Sequence, residues 1–403
     1  MDAVHQQYEA YPYPARDPAD EATRLIEGSP SHPIEIDHFL FQGRRDWSQP
    51  FRALVAGGGT GDGLIMLAQK LVDLGCPAEI TYIDMSSASR GIAEARAQAR
   101  GLDVRFVTGD LLTAPDYGPF DYIDCCGVLH HLPDPDAGFA ALAAALSDEG
   151  GMGLMVYAPY GRSGVYPLQD AFGALFGGDA PADQVALAKA AMRGLPDAHP
   201  FKRNKVLGDH RDSDAGFYDL LLHSRDRAYS VTEFANALER AGLAVVSFLE
   251  PARYDPMQYL PKSPEMAERV KTLSPLERMA VAEKLSGTFK THVVYAAPTA
   301  RAAKAEARPT KPDLVPHLSG APAAALAQTI ANQAGFTADL DGVSYRIDIP
   351  KASARLIAGI DGRRRLGDLA QGADWMAFAQ TWWPVHRGLA GMNFLHYSTG
   401  ARR

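Results

Sequence analysis

Between Phe51 and Met155, short apolar runs alternate with Ala-rich runs whose apolar residues recur at helical spacing. That is the pattern of parallel strands covered by crossover helices. Strands are expected at Phe51–Ala56, Glu79–Asp84, Val104–Thr108, Phe120–Cys126 and Met152–Tyr157, and helices at Asp62–Leu74, Ser86–Arg100 and Pro135–Leu146. Ser86, just past the strand that ends on Asp84, offers a capping hydroxyl. Right-handed crossovers bring the carboxyl ends of these strands to one edge, where such sheets hold ligands.

Beyond Tyr157 the alternation stops. Two later apolar runs, LAVVSFLE and FKTHVVYAAP, close a domain expected to span residues 51–297, with insertions at 157–229 and 251–288. VTEFANALERAGL reads as a helix capped by Thr232 and ended by Gly242. Residues 298–319, rich in Ala, Pro and charge without an apolar face, are expected to be a linker. Residues 320–403 regain four-residue periodicity and suffice for a small carboxyl-terminal domain. Within it, SARLIAGIDGRRRLGDLA resembles the helix pair of small winged-helix domains. Residues 1–50 are expected to act as a lid: YEAYPYP sets Tyr8, Tyr11 and Tyr13 among prolines, a poor helix or strand. Aromatic faces attract cations.

Composition narrows the choice. With 403 residues the chain exceeds one typical domain, and 46% hydrophobic residues supply a sizeable core. A net charge of -8 argues against binding nucleic acid through its phosphates. Cys76, Cys125 and Cys126 show no CxxC spacing and stand near no histidine cluster, so neither a disulfide framework nor a metal site is expected. No signal-peptide pattern opens the sequence and no long apolar run crosses it, so a soluble, cytoplasmic protein is expected.

The stretch ALVAGGGTGDGLIMLAQKL, from Ala53 to Leu71, concentrates glycine between a strand and a helix. Bare backbone there lets a ligand approach main-chain N–H groups. A dinucleotide fingerprint would need Gly or Ala at position 62 or 66, which are Asp62 and Met66. The frame that fits is G-x-G-x-G at Gly57, Gly59 and Gly61. Asp62 also sets a negative charge at the helix start, unfavourable for a pyrophosphate. Asp84, about twenty residues on, stands where a carboxylate accepts from ribose hydroxyls. Asp110, past the third strand in VRFVTGDLL, can accept from an adenine amine.

These residues resemble the class I S-adenosylmethionine-dependent methyltransferases, through VAGGGTG, YIDMS, VTGDLL and FDYIDCCGVLHHLPDPDAGFAALAAALSDEGGMGLMVYAP. The likeness covers roughly Phe51 to Tyr160. It implies a doubly wound, Rossmann-like sheet of seven strands, S-adenosylmethionine as cofactor and methyl transfer by direct displacement. It further implies cofactor contacts at Gly57, Gly59, Gly61, Asp84 with Met85, Asp110 with Leu111, and Gly127, with Tyr13 from the lid. The pattern departs at Val55, where most members carry an acid. A subset fused to tetratricopeptide repeats shows a similar glycine loop and a similar QYEAYPYP lead.

His130 and His131 follow the fourth strand at the active-site edge, where they either hold the loop by hydrogen bonds or supply a general base, and His131 is the catalytic candidate of the two. Cys125 and Cys126 are expected to be buried hydrophobes. Tyr160, Arg162, Tyr218, Asp219 and His223, in the insertion, are the candidate acceptor contacts. The acceptor is a small molecule, peptide or protein, with no nucleic acid or membrane partner, and the carboxyl-terminal domain offers a partner or homo-oligomer contact. Rival readings are a noncatalytic cofactor-binding scaffold, favoured by Val55, a nicotinamide oxidoreductase, and a DNA-binding regulator using Arg363, Arg364 and Arg365.

Overall fold

In the computed structural model, which describes residues 3–400, the first apolar run forms β1 (Phe51–Ala56) and is buried almost throughout. A strand of that kind sits centrally in a sheet covered on both faces. β2 (Ala78–Asp84), β3 (Arg105–Thr108), β4 (Phe120–Cys126) and β5 (Leu146–Tyr157) follow, parallel to it. β6 (Leu243–Phe248) and β7 (Thr291–Pro298) complete a seven-stranded sheet in the order β3-β2-β1-β4-β5-β7-β6, with β7 antiparallel to both neighbours. β5 begins at Leu146, before its expected start at Met152, because a register shift between Phe120 and Tyr122 lets the strand run on through the Gly150-Gly151 pair.

Alternation along the strands divides the core in two. Leu54, Ile83, Ile123, Cys125 and Leu154 pack on one face with Phe139 and Phe234 from its helices. Ala53, Val55, Tyr82 and Tyr122 pack on the other with Leu64, Leu67 and Leu71 of the Asp62–Asp73 helix. The order in which strands are added reverses between β1 and β4, and at that switch point the strand ends leave a crevice.

The amino-terminal segment begins as a helix, Ala3–Ala10, so Tyr8 is helical where YEAYPYP reads as neither helix nor strand; Pro12 and Pro14 end the regular structure just after it. Residues 13–22 then lie over the glycine loop. Arg96, 1% exposed, donates to Glu21 at 2.6 Å, to Asp62 at 2.8 Å and to the Thr60 carbonyl at 2.8 Å, while Arg16 grips Asp62 from the other side at 2.6 Å. The insertion after β5 builds its own small core from Val165, Leu168, Phe172, Phe201 and Leu221.

The expected linker is ordered and packed. Thr299–Ala305 is a helix against β6, β7 and the Pro33–Leu40 helix, its alanines small enough for close approach, with Ala302 and Ala305 buried. β8 (Val315–Leu318) pairs with β11 (Leu395–Ser398), so the carboxyl-terminal unit starts inside the segment that reads as linker. β9 (Gly335–Leu340) and β10 (Val343–Asp348) form a hairpin ahead of the helix pair Ala354–Ala358 and Leu366–Ala370. Asp361 turns the chain between those helices by accepting from Arg363 N and Arg364 N at 2.9 and 2.8 Å. The unit docks on the sheet domain through Tyr397 N to His38 Nδ1 at 3.2 Å and Arg253 to Asp341 at 2.6 Å. Among the described residues no helix is long and apolar enough to cross a membrane.

Arg96→Met removes the shared cation from two carboxylates, one of them buried, and is expected to cost about 3 kcal/mol or more in urea unfolding, because a buried charge is left with fewer partners. An unchanged unfolding midpoint would show that the network does not hold the amino-terminal segment.

Candidate active site

The site is built from loops at the carboxyl ends of β1, β2, β3 and β4. Past β1, Gly59 adopts φ +52°, and a Cβ there would stand 2.8 Å from the Tyr13 carbonyl oxygen. Only glycine permits both the left-handed backbone and the amino-terminal segment lying on top. The loop is clasped from below: Gly59 N donates to Asp84 Oδ2 at 2.8 Å, and Tyr82 OH donates to the Gly59 carbonyl at 2.6 Å. Thr60 Oγ1 donates upward to the Pro14 carbonyl at 2.6 Å. Asp84 also accepts from Ser86 N at 2.8 Å. Burial pushes its carboxyl above the usual range, with those two N–H groups pulling the other way.

These loops enclose a cavity of about 620 Å³. At one end stand Gly57, Gly59, Asp84, Met85, Asp110, Leu111 and Tyr13; Gly127 lines the middle. At the other stand His131, Tyr8, Tyr157, Asp219 and Arg225. Asp110 accepts from Leu112 N at 2.9 Å, capping the short helix after β3, and keeps its place at the rim.

The far end is a buried hydrogen-bond network. Tyr8 OH donates to Asp219 Oδ1 at 3.0 Å and Tyr157 OH to Oδ2 at 2.9 Å. Burial raises the Asp219 carboxyl; His131, Tyr157, Arg162 and Tyr8 oppose that rise. His131 Nδ1 lies 2.8 Å from the Arg225 carbonyl, which can only accept, so the proton is on Nδ1 and the Nε2 lone pair is left. That Nε2 is buried, with no hydrogen-bond partner among the described residues. His223 is the reverse case. Its Nδ1 accepts from Arg225 N at 3.1 Å, and burial holds its pKa well below the usual histidine range, so the neutral ring carries its proton on Nε2, 3.3 Å from Tyr8 OH. The two rings stack at 3.8 Å. His131, Asp219 and His223 are near enough to share a metal.

Several expected contacts lie elsewhere. Gly61 does not line the cavity: it adopts φ +98° at the helix start, and its open face lets the Ala93 methyl, 3.0 Å from where a Cβ would be, pack against the loop. Asp62 is no bare charge, since the hydrogen bonds of Arg16 and Arg96 outweigh burial and hold its carboxyl below the usual range. Arg162 pairs with Asp226 at 2.7 Å and lies 3.7 Å over the Tyr157 ring, bracing that ring from behind. Tyr218 stacks on Tyr11 and donates to Gln184 at 2.8 Å, and Tyr160 is exposed, so neither faces the cavity. Asp219 lines it and His223 adjoins it. Sequence reasoning missed Ser31, Gly63, Asp124 and Tyr157, all on the lining. Asp124 had a signal: it is a charged residue inside the otherwise apolar strand end IDCC.

Residues 54–152 match the family model of a methyltransferase domain. An uncharacterized protein of Synechococcus sp. is 32% identical over 293 residues, covering 70% of this chain and 68% of the relative. Two solved structures of PKMT2 from Rickettsia typhi share the fold at 13% and 14% identity, with TM-scores of 0.59 and 0.60. Each alignment covers 86% of this chain and 71% of the other, and the first structure is a complex with AdoHcy.

Nitrogen-15 spectra near neutral pH are expected to show His131 protonated on Nδ1 and His223 on Nε2, with the His223 signals unchanged as pH falls through about 6.5, where exposed imidazoles charge. Finding the same tautomer in both rings would overturn the assignment.

Proposed function

We propose, from the premise that the chain belongs to the S-adenosylmethionine-dependent methyltransferases, that it moves the methyl group to an acceptor bearing an O–H or N–H nucleophile. The observation that carries this reading is the cavity that is lined both by Asp84 of the glycine-loop clasp and by His131, whose Nε2 has no partner among the described residues. Its size falls within the ~300 to 1,000 Å³ usual for small-ligand sites.

The residues fit such a cofactor. A carboxylate offers about four acceptor positions; Asp84 gives two to Gly59 N and Ser86 N, and the rest serve ribose hydroxyls. Asp110, Leu111 and Met85 border the adenine end, and Gly57 and Gly127 border the remainder. When bound, the cofactor supplies a methyl group activated on sulfur. The protein's part is then to align the acceptor and exclude water. Tyr13 and Pro14 cover the glycine loop, Tyr8 and Tyr157 wall the acceptor end, and His131 Nε2 takes the acceptor's proton. Asp219, held by two hydroxyls beside His131, favours the imidazolium that results.

The likeness of QYEAYPYP and the glycine loop to the tetratricopeptide-fused subset supports placing the chain near it. Three free cysteines, Cys76, Cys125 and Cys126, favour a reducing, cytoplasmic setting.

Asp84→Ala is expected to weaken S-adenosylhomocysteine by about 1 to 3 kcal/mol in calorimetry, the cost of lost shielded hydrogen bonds; unchanged affinity would count against the ribose assignment. His131→Ala is expected to slow turnover by about 10² to 10⁴ while cofactor affinity changes little. Equal losses in both would return His131 to a structural role. Label from isotopic cofactor in a lysate identifies the acceptor class.

A further inference from the structure

The adenosyl reading leaves one cavity carboxylate without a task. Asp124 is 4% exposed, lines the cavity, and accepts from Ser31 Oγ, itself buried and brought in by the amino-terminal segment. Burial drives its carboxyl upward, and only the Ser31 hydroxyl and the Cys126 thiol oppose that, with no basic side chain among the causes. Such a charge is costly unless paired.

Its position says what would pair it. β4 lies beside β1 on the side away from β2, and Asp124 is level with Val55 across the β1–β4 ladder. Tyr122, two residues before it, shares the Val55 face, so Asp124 looks over the same side of the sheet. The helix after the glycine loop makes room: a Cβ at position 63 would come 2.7 Å from Asp124 Oδ2, a contact Gly63 avoids. Asp84 therefore ends β2 on one flank of the glycine loop, and Asp124 stands in β4 on the other. A ligand whose ribose is held at Asp84 crosses the loop and reaches β4 with its opposite end.

We infer that Asp124, oriented by Ser31, is the carboxylate that receives the α-ammonium group of the cofactor's methionyl arm. The ammonium brings both the missing charge and N–H donors, whereas a sulfonium has no proton to donate. Val55, its register partner on β1, is apolar and packs in the core, so Asp124 is the acid at this level of the two strands. Asp124 is thus a binding residue, distinct from the proton acceptor His131 at the far end.

This inference rests on the adenosyl reading, and the test separates the two. S-adenosylhomocysteine and 5′-methylthioadenosine are both uncharged at sulfur and share the adenosine, but only the first carries the amino-acid arm. Calorimetry with Asp124→Asn is expected to show S-adenosylhomocysteine weakened by about 10- to 100-fold, the scale of a lost charge-assisted hydrogen bond, with methylthioadenosine within about two-fold of the native value. Ser31→Ala, which leaves the carboxylate in place, is expected to give a smaller loss with the same selectivity, and it answers the question if Asp124→Asn fails to fold. Equal weakening of both ligands, or no change in S-adenosylhomocysteine, overturns the role of Asp124 while the adenosyl reading stands. If the native protein binds neither ligand, that reading fails and the inference falls with it.

Discussion

One carboxylate ties the site together. Asp84 ends β2, yet it accepts a backbone N–H from the loop after β1 and another from the turn before its own following helix. A hydrogen bond to a charged group contributes about 1.5 to 3 kcal/mol, so two of them offset much of what burying the carboxylate costs and fix two loops relative to each other. Everything placed over the glycine loop inherits its position from that clasp. Tyr13 rests on Gly59, Pro14 is held by Thr60, and the Tyr8 carbonyl accepts from Ser86 Oγ. Were the loop free to move, the covering segment would have no fixed seat.

The covering segment is held by charge where it lacks a large apolar face. Glu21 and Asp62 are bridged by the fully buried guanidinium of Arg96, and Arg16 adds a bidentate grip on Asp62. Arginine suits this place because its planar fork satisfies several oxygens at once. Asp62 at the first turn of its helix also meets the positive end of the helix dipole. The same residue therefore serves the helix, the segment above it and the neighbouring Ser87–Ala99 helix, so its charge is spent on structure while Asp84, Asp110, Asp124 and Asp219 are among the other acids on the lining.

Most of the sheet was legible in the sequence because its strands are buried on both faces and its helices are separated from them by strong punctuation. Phe51–Ala56 and Phe120–Cys126 fall where the apolar runs fall, and Ser86 caps the helix it precedes. The glycine loop and the acids after β2 and β3 were legible for the same reason: position on a parallel sheet follows from order in the chain. Direction of a side chain does not. Tyr160, Arg162 and Tyr218 have the chemistry of acceptor contacts, but a helical insertion turns Tyr218 toward Tyr11 and Arg162 toward Asp226. Asp124 showed as a lone acid among Ile, Cys and Cys, but the strand pattern did not say which way its side chain faces. The supposed linker failed on composition: alanine between charged residues reads as unstructured, yet it is what lets the Thr299–Ala305 helix lie close to the sheet.

The acceptor end depends on the main chain of a single residue in a different way. Arg225 uses its carbonyl to hold the proton of His131 on Nδ1 and its N–H to occupy Nδ1 of His223. Two stacked imidazoles are thereby forced into opposite tautomers, one with its lone pair on Nε2 and one with a proton toward Tyr8. If both rings carried the same tautomer, one of the two contacts with Arg225 would set lone pair against lone pair or proton against proton. The hydroxyl of Tyr8 then has its direction decided for it: it receives from His223 and donates to Asp219, whose other oxygen is taken by Tyr157. Among the described residues Tyr8 OH, His223 Nε2 and both Asp219 oxygens each have a partner, whereas His131 Nε2 has none. The proton of a reacting group that reaches this network finds on His131 Nε2 a lone pair that no described residue fills.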